Sequence, residues 1–84
     1  MEKFTLINKD KSRIIVFELF EDLSKPSPII DAMISYGCVY KRSSKPVMKG
    51  TKVETIEAAR KEYRELLQEG WGKTNLFNNY LNNP

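Results

Sequence analysis

Two runs of mainly hydrophobic residues, separated by a short polar stretch, lie near the start of the chain, and this pattern predicts a β-hairpin. Residues 4–7 and 13–21 are rich in β-branched and aromatic residues, while residues 8–12 are polar turn formers. Residues two apart share a face of a strand. The second run therefore presents two faces: Ile15, Phe17 and Leu19 on one, and Ile14, Val16, Glu18 and Phe20 on the other.

The next stretch has a more ambiguous pattern. Pro26 and Pro28 cannot continue a central strand, so residues 24–28 are predicted to form an extended connector. Apolar residues then recur at helical spacing and predict a short helix over residues 29–37. Pro28 suits the first turn of this helix, and Gly37 suits its C-terminal cap. The same residues are also compatible with a strand.

A third strand and a basic stretch follow. Residues 38–40 have strand-like composition, and residues 41–52 are polar, basic and interrupted by a proline and a glycine. Two arrangements fit this pattern. Either one strand ends in a long loop, or two short strands are joined by residues 43–44.

The clearest element is an amphipathic helix over residues 54–69. Its apolar positions recur every three or four residues and form one stripe: Ile56, Ala59, Tyr63, Leu66 and Leu67. Two threonines compete for the N-cap, Thr55 and Thr51, the latter with a glutamate three residues later. Gly70 is typical of a C-terminal cap, and Trp71 is expected to fold back onto the last turn.

These elements predict an α+β fold. A hairpin extended by a third strand would form a small antiparallel sheet, packed by one C-terminal amphipathic helix. The face with Ile15 and Phe17, or its alternate one residue off, is expected to meet the helix stripe. The 84 residues suffice for one domain. We assign it to residues 1–73, followed by an Asn-rich tail, residues 74–84, that is either frayed or docked by its aromatic residues.

Composition excludes several kinds of chemistry. The chain has no histidine and one cysteine, Cys38. These absences exclude a structural zinc site of the usual Cys/His kind, an imidazole base and an intramolecular disulfide. Since no cofactor motif is found either, we expect no metal, no cofactor and no enzymatic activity.

The expected location is the cytoplasm. A lone thiol is typical of a reducing compartment, and the first residues do not follow the pattern of a secretory signal. The longest nearly continuous apolar run, residues 14–20, has seven residues, whereas a membrane span needs about 20. We therefore expect no membrane partner.

Positive charge is concentrated in one segment. The net charge of the chain is only +3, but residues 41–52 contain five cations and no acid: Lys41, Arg42, Lys45, Lys49 and Lys52. Cations of this kind contact phosphates, and the neighbouring Tyr40 could stack on an exposed base. The segment is thus a candidate for contact with nucleic acid or another polyanion. The alternative is a solvated or protein-binding loop.

Aromatic and leucine side chains near the C-terminus are candidates for a protein interface: Trp71, Phe77, Tyr80 and Leu81. Such side chains dominate the binding energy of many interfaces. The alternative is that they close the core. An exposed edge of the hairpin is a further candidate, since a partner or a second copy could add a strand to it.

Residues 55–71 read Thr-Ile-Glu-Ala-Ala-Arg-Lys-Glu-Tyr-Arg-Glu-Leu-Leu-Gln-Glu-Gly-Trp. They resemble the closing helix of small cyanobacterial proteins of unknown function, in which a threonine-capped helix ends in Leu-Leu-x-x-Gly-Trp. The hairpin and the basic loop around Pro46 and Lys49 fall in similar places. This chain has Tyr63 where the family pattern has Trp, and it carries an extra proline-rich connector and the Asn-rich tail. The resemblance implies lineage and shape.

The expected function is that of a small non-enzymatic protein-interaction module, an accessory, regulatory or inhibitor-type subunit. Its partner would be another protein or a second copy of the chain. The alternative is a nucleic-acid-binding protein that uses the basic loop, residues 41–52.

Overall fold

The fold is a five-stranded antiparallel sheet with one helix packed on it. A computed structural model describes residues 3–23, 29–43 and 45–75. The elements are β1 (Lys3–Ile7), β2 (Arg13–Asp22), β3 (Ile29–Cys38), β4 (Val47–Thr55), α1 (Ile56–Gln68) and β5 (Gly72–Lys73). The strand order is β4-β3-β2-β1-β5. The predicted α+β fold is confirmed, with five strands where three were expected.

The predicted N-terminal hairpin is confirmed. Strands β1 and β2 pair so that Phe4 lies opposite Phe17 and Leu6 lies opposite Ile15. The side-chain oxygen of Asn8 accepts the backbone N–H groups of both Ser12 and Arg13, each at 2.9 Å. This amide closes the connection and fixes the register of the two strands.

The prediction of a helix over residues 29–37 is wrong, because these residues belong to strand β3. This strand pairs with β2 on one side and β4 on the other, which provides its backbone with partners on both sides. Ile30 and Ile34 are four residues apart, a spacing that suits one face of a strand as well as a helix. Gly37 caps no helix. A Cβ at this position would lie 2.7 Å from the Met48 sulfur, so glycine permits the close approach of β4.

The basic segment 41–52 is only partly a loop. The connection between β3 and β4 covers residues 39–46, and the rest of the segment lies in β4. Of the strand predicted over residues 38–40, only Cys38 lies in a strand, as the last residue of β3, and the second strand of the two-strand alternative corresponds to β4, which is longer than predicted. Gly50 pairs with Tyr36 and Met48 pairs with Gly37, so Lys49 is the extra residue of a β-bulge.

The main core lies between α1 and one face of the sheet. Its buried residues are Leu6, Ile15, Phe17, Ala32, Ile34 and Ala59. Partly buried side chains complete it: Leu19, Tyr36, Tyr63, Leu66 and Trp71. The expected contact between the Ile15, Phe17 and Leu19 face and the helix stripe is confirmed.

The opposite face of the sheet has an apolar cluster of its own. Ile7, Ile14 and Val16 are buried there, packed with Val39 and Met48. The backbone N–H of Val39 donates to the Ser12 carbonyl at 2.8 Å, which holds the β3–β4 connection against the sheet. The β2 sequence predicts this pattern, because consecutive apolar residues give a strand two apolar faces.

Both ends of α1 are capped as the sequence indicates. The hydroxyl of Thr55 accepts the N–H of Ala58 at 3.2 Å, so Thr55 and not Thr51 is the N-cap. At the other end, the N–H of Gly70 donates to the Leu67 carbonyl and the N–H of Trp71 donates to the Leu66 carbonyl. Gly70 has φ +99°, and this pair of bonds is a Schellman cap.

Candidate functional site

Four of the five predicted polyanion contacts lie at one corner of the sheet. Lys41, Arg42 and Lys45 are in the β3–β4 connection, Lys49 is in the bulge of β4, and all four are exposed. A backbone hydrogen bond from the N–H of Ser43 to the Tyr40 carbonyl, at 3.1 Å, forms a turn in this connection. The corner is therefore a basic surface, and we call these four residues the basic corner.

Lys52, the fifth predicted contact, is in a different environment. Its ammonium group lies 2.7 Å from Glu54 Oε1 and 3.3 Å from Glu62 Oε2. It also lies 5.4 Å from the centre of the Tyr36 ring. The hydrogen bond to Glu54, followed by that to Tyr36, raises the pKa of Lys52. Its charge is thus balanced by two carboxylates, and Lys52 adds no net charge to the basic corner.

The same residues tie the helix to β3 and β4. The hydroxyl of Tyr36 donates to Glu62 Oε1 at 3.0 Å. Partial burial is the main reason that the pKa of Tyr36 lies above its ordinary value. We call Tyr36, Lys52, Glu54 and Glu62 the polar clamp. The sequence shows no spacing that would have predicted it, because its members come from three different elements.

The two edges of the sheet differ in length. β5 has two residues, whereas β4 has nine. Among the described residues, no strand pairs with the outer side of β4. Val47 and Val53 in this strand are 43% and 59% exposed. The hairpin edge that the sequence suggested pairs with β5 at Leu6 and Ile7, and β4 forms the longer edge of the sheet.

Trp71 is half-buried and packs against the main core. The guanidinium of Arg13 lies 5.9 Å from the centre of its ring, a cation–π distance. This placement favours the core-closing alternative for Trp71, and its role in an interface stays a prediction. The other three predicted interface residues, Phe77, Tyr80 and Leu81, lie outside the described residues.

A cleft that the sequence did not predict lies between α1, β1 and β2. Its volume is about 680 Å³. Apolar and aromatic residues form most of the lining: Phe4, Phe17, Leu19, Ile56, Ala59 and Tyr63. Arg60 and Arg64 of α1 and Lys73 of β5 complete it. The one feature of the sequence that pointed to this cleft was the i, i+4 spacing of the two arginines, which places both on one side of the helix.

Within residues 3–23, 29–43 and 45–75, no group of three or more Cys, Asp or Glu side chains is arranged to hold a metal ion. No helix in the same part of the chain is both long enough and apolar enough to cross a membrane.

Searches against protein-family models, curated proteins and solved structures found no match for this chain. The resemblance to small cyanobacterial proteins therefore stays a prediction.

Proposed function

We propose that this chain is a non-enzymatic protein-interaction module that binds an extended, acidic segment of a partner protein along β4. The observation that carries the proposal is that no strand in the described part of the chain pairs with the outer edge of β4. An unpaired edge presents a row of backbone N–H and C=O groups, and an extended peptide can add to it as a further strand.

The regular part of this edge is long enough for such a contact. The bulge at Lys49 interrupts the register, whereas residues 50–55 pair with β3 in regular succession. Six residues of strand extend over about 20 Å, the length of an ordinary strand. Val53, exposed on this segment, offers an apolar side chain for a partner to cover.

The charge around β4 favours an acidic partner. The basic corner lies where β4 begins, and its four cations are exposed. A bulge and lysines on an edge strand also discourage uncontrolled pairing between copies. Together these features support a specific partner with complementary charge, because opposite charges at the rim of an interface speed association and select the partner.

A second candidate function is binding of single-stranded nucleic acid at the basic corner. Tyr40 is 50% exposed and precedes Lys41 and Arg42 in the connection. An exposed aromatic ring beside cations is the combination that stacks on a base and contacts the backbone phosphates.

The experiment that tests the first candidate is affinity capture from the native lysate, with and without nuclease. We would compare the wild-type chain with Val53→Glu and, as a matched control, Leu67→Glu. Leu67 is also partly exposed but lies on α1. A glutamate at residue 53 should repel an acidic segment. Amide exchange in the purified complex would then show whether residues 50–55 are protected.

The strand-addition proposal expects a stoichiometric partner that survives nuclease, is lost with Val53→Glu and is retained with Leu67→Glu. It also expects protection of residues 50–55. Retention of the partner by Val53→Glu, with no protection at β4, would overturn it. Sedimentation of the purified chain tests for a homodimer. Self-association through β4 would overturn the acidic partner and make a second copy of the chain the partner.

Loss of all captured material on nuclease treatment would favour the second candidate. In that case Lys45→Glu with Lys49→Glu should weaken binding to a single-stranded oligonucleotide and flatten its dependence on salt. Lys61→Glu, on the exposed side of α1, is the control. If the wild type, the variant with both Lys45→Glu and Lys49→Glu, and the Lys61→Glu control bound the oligonucleotide with equal affinity, the basic corner would be ruled out as the nucleic-acid site.

A further inference from the structure

We propose that the cleft between α1, β1 and β2 binds a small amphiphile with an apolar chain and an anionic head group. This inference does not depend on the proposed function, since none of the residues that line the cleft belongs to β4 or to the basic corner. It rests on the lining of the cleft, on its size and on the cations around it.

The floor of the cleft is an aromatic cluster. The ring of Tyr63 lies 6.4 Å from that of Phe4 and 5.4 Å from that of Phe17, both edge to face. Phe4 is 42% exposed although it stands beside the core. An apolar chain in the cleft would cover this ring and remove it from water, which is the main driving force for binding at such a site.

Ala59 keeps the centre of the cleft open. It is the buried residue of α1, and its methyl group is the smallest side chain in the helix stripe. The polar clamp meanwhile fastens Glu62 to β3 and β4, on the other side of α1. With this small side chain in the lining and the helix held from the opposite side, space remains next to Phe4 and Leu19.

The cations around the cleft explain why the ligand should carry a negative charge. Arg60 and Arg64 lie one helical turn apart, and Lys73 approaches from β5. In the described part of the chain, none of the three forms an ion pair, and no carboxylate lines the cleft. An anionic head group would thus meet two guanidinium groups, which bind carboxylate and phosphate well.

The size of the cleft suits a small molecule. A volume of about 680 Å³ lies within the range of roughly 300–1,000 Å³ found for ligand pockets. A carboxylate or a phosphate could form the head group, so the shared chemistry is a monovalent or divalent anion on a linear hydrocarbon chain.

The experiment is titration calorimetry of the full chain with dodecanoate, dodecyl phosphate and dodecanol, the two anions below their critical micelle concentrations and the alcohol below its solubility limit. We expect saturable one-to-one binding of at least one of the two anions, and at least tenfold weaker binding of the alcohol. The relative affinity of the two anions identifies the head group. Amide shifts in an NMR titration should be largest at the cleft and absent at residues 50–55.

Two variants test the cations and one tests the floor. Arg60→Gln and Arg64→Gln should each weaken binding of the anion about tenfold, the loss expected for one charged hydrogen bond. Lys61→Gln removes one positive charge from the exposed side of the same helix and should leave the affinity unchanged. Phe4→Ala should weaken binding of the anion and of the alcohol alike, because it acts on the apolar chain.

Three results would overturn the proposal. They are the absence of saturable binding, equal affinity for dodecanol and the anions, and an equal loss of affinity with Lys61→Gln and the two arginine variants. Val53→Glu should bind the amphiphile as the wild type does. A failure of amphiphile binding and a failure of strand addition at β4 can therefore be told apart.

Discussion

The two sides of α1 differ in what they contact. On one side, Glu62 accepts a hydrogen bond from Tyr36 and pairs with Lys52, and this polar clamp fixes the helix to β3 and β4. On the other side, Arg60 and Arg64 flank a cleft with an aromatic floor. One short helix thus uses polar contacts on one side to hold its position and borders a cleft on the other.

The strongest test concerns the core that both sides share. Ile34 is fully buried in β3, where it lies opposite Phe17 on one neighbour and Lys52 on the other. Ile34→Ala should lower the free energy of unfolding by about 2–5 kcal/mol, because it leaves a cavity under the helix. A loss of this size is a large part of the stability of a small domain.

Thermal and urea unfolding would measure this loss. Leu67→Ala, which shortens a partly exposed side chain of α1, is the control and should cost much less. If the two variants melted at the same temperature, the packing of α1 on β3 described above would be wrong.

The next test breaks the polar clamp. Glu62→Ala removes the acceptor of the Tyr36 hydroxyl and one partner of Lys52. We expect it to lower the free energy of unfolding by about 1–2 kcal/mol. Glu62→Gln keeps an acceptor for Tyr36 and loses only the ion pair, so about 1 kcal/mol or less is expected.

Urea unfolding of both variants, with Glu65→Ala as the control on the exposed side of α1, would rank these effects. An equal loss for Glu62→Ala and Glu65→Ala would show that the clamp does not hold the helix.

A smaller loss of stability is expected from a substitution at the N-terminus of α1, which lies on neither side in particular. Thr55→Ala removes the acceptor of the Ala58 N–H and should cost about 1 kcal/mol, the usual value for an N-cap. Thr51→Ala removes only a hydroxyl contact with Ser35 across β3 and β4, and should cost less. Unfolding in urea measures both, and the reverse order would contradict the assignment of Thr55 as the cap.

The pH dependence of stability should report on the polar clamp. Folding raises the pKa of Tyr36 above 10.0 and that of Lys52 above 10.5. These two numbers are the pKa values of the groups in the unfolded chain. Below them, the stability that comes from the two pKa shifts is fully present. It is lost as the pH rises through the higher pKa values of the folded state.

Melting temperatures between pH 8 and pH 11.5 would test this linkage. We expect stability to fall in the alkaline range, and Tyr36→Phe to reduce the pH dependence. Tyr40→Phe, at an exposed tyrosine of the β3–β4 connection, should leave it unchanged. An identical alkaline loss in Tyr36→Phe and wild type would exclude a contribution from Tyr36.

Elements that are encoded locally were predictable from the sequence. The N-terminal hairpin and α1 each combine a clear hydrophobic period with turn or cap residues that agree with it. The prediction for residues 29–37 failed because Ile30 and Ile34 suit both periods. Their conformation was decided by β2 and β4, which provide hydrogen-bond partners that no local pattern reveals.

The candidate sites were harder to predict than the elements. The cluster of cations in residues 41–52 is visible in the sequence, but the separation of Lys52 from the other four is not. It follows from the pairing of Lys52 with Glu54 in the same strand and with Glu62 in α1, ten residues later. The cleft was missed for the same reason, because Phe4, Arg60 and Lys73 are brought together only by the fold.

Local patterns in the sequence were enough for the α+β class, the hairpin, the position of α1 and its C-terminal cap at Gly70, whereas they left the N-cap open between Thr55 and Thr51. These properties depend on residue type and on spacing within one element. The strand order, the place of β4 at an edge of the sheet that the described residues form, the polar clamp and the cleft arise only in the tertiary structure. Each of these depends on contacts between residues distant in the chain, whose pairing is set by the burial of two apolar sheet faces rather than by any single segment.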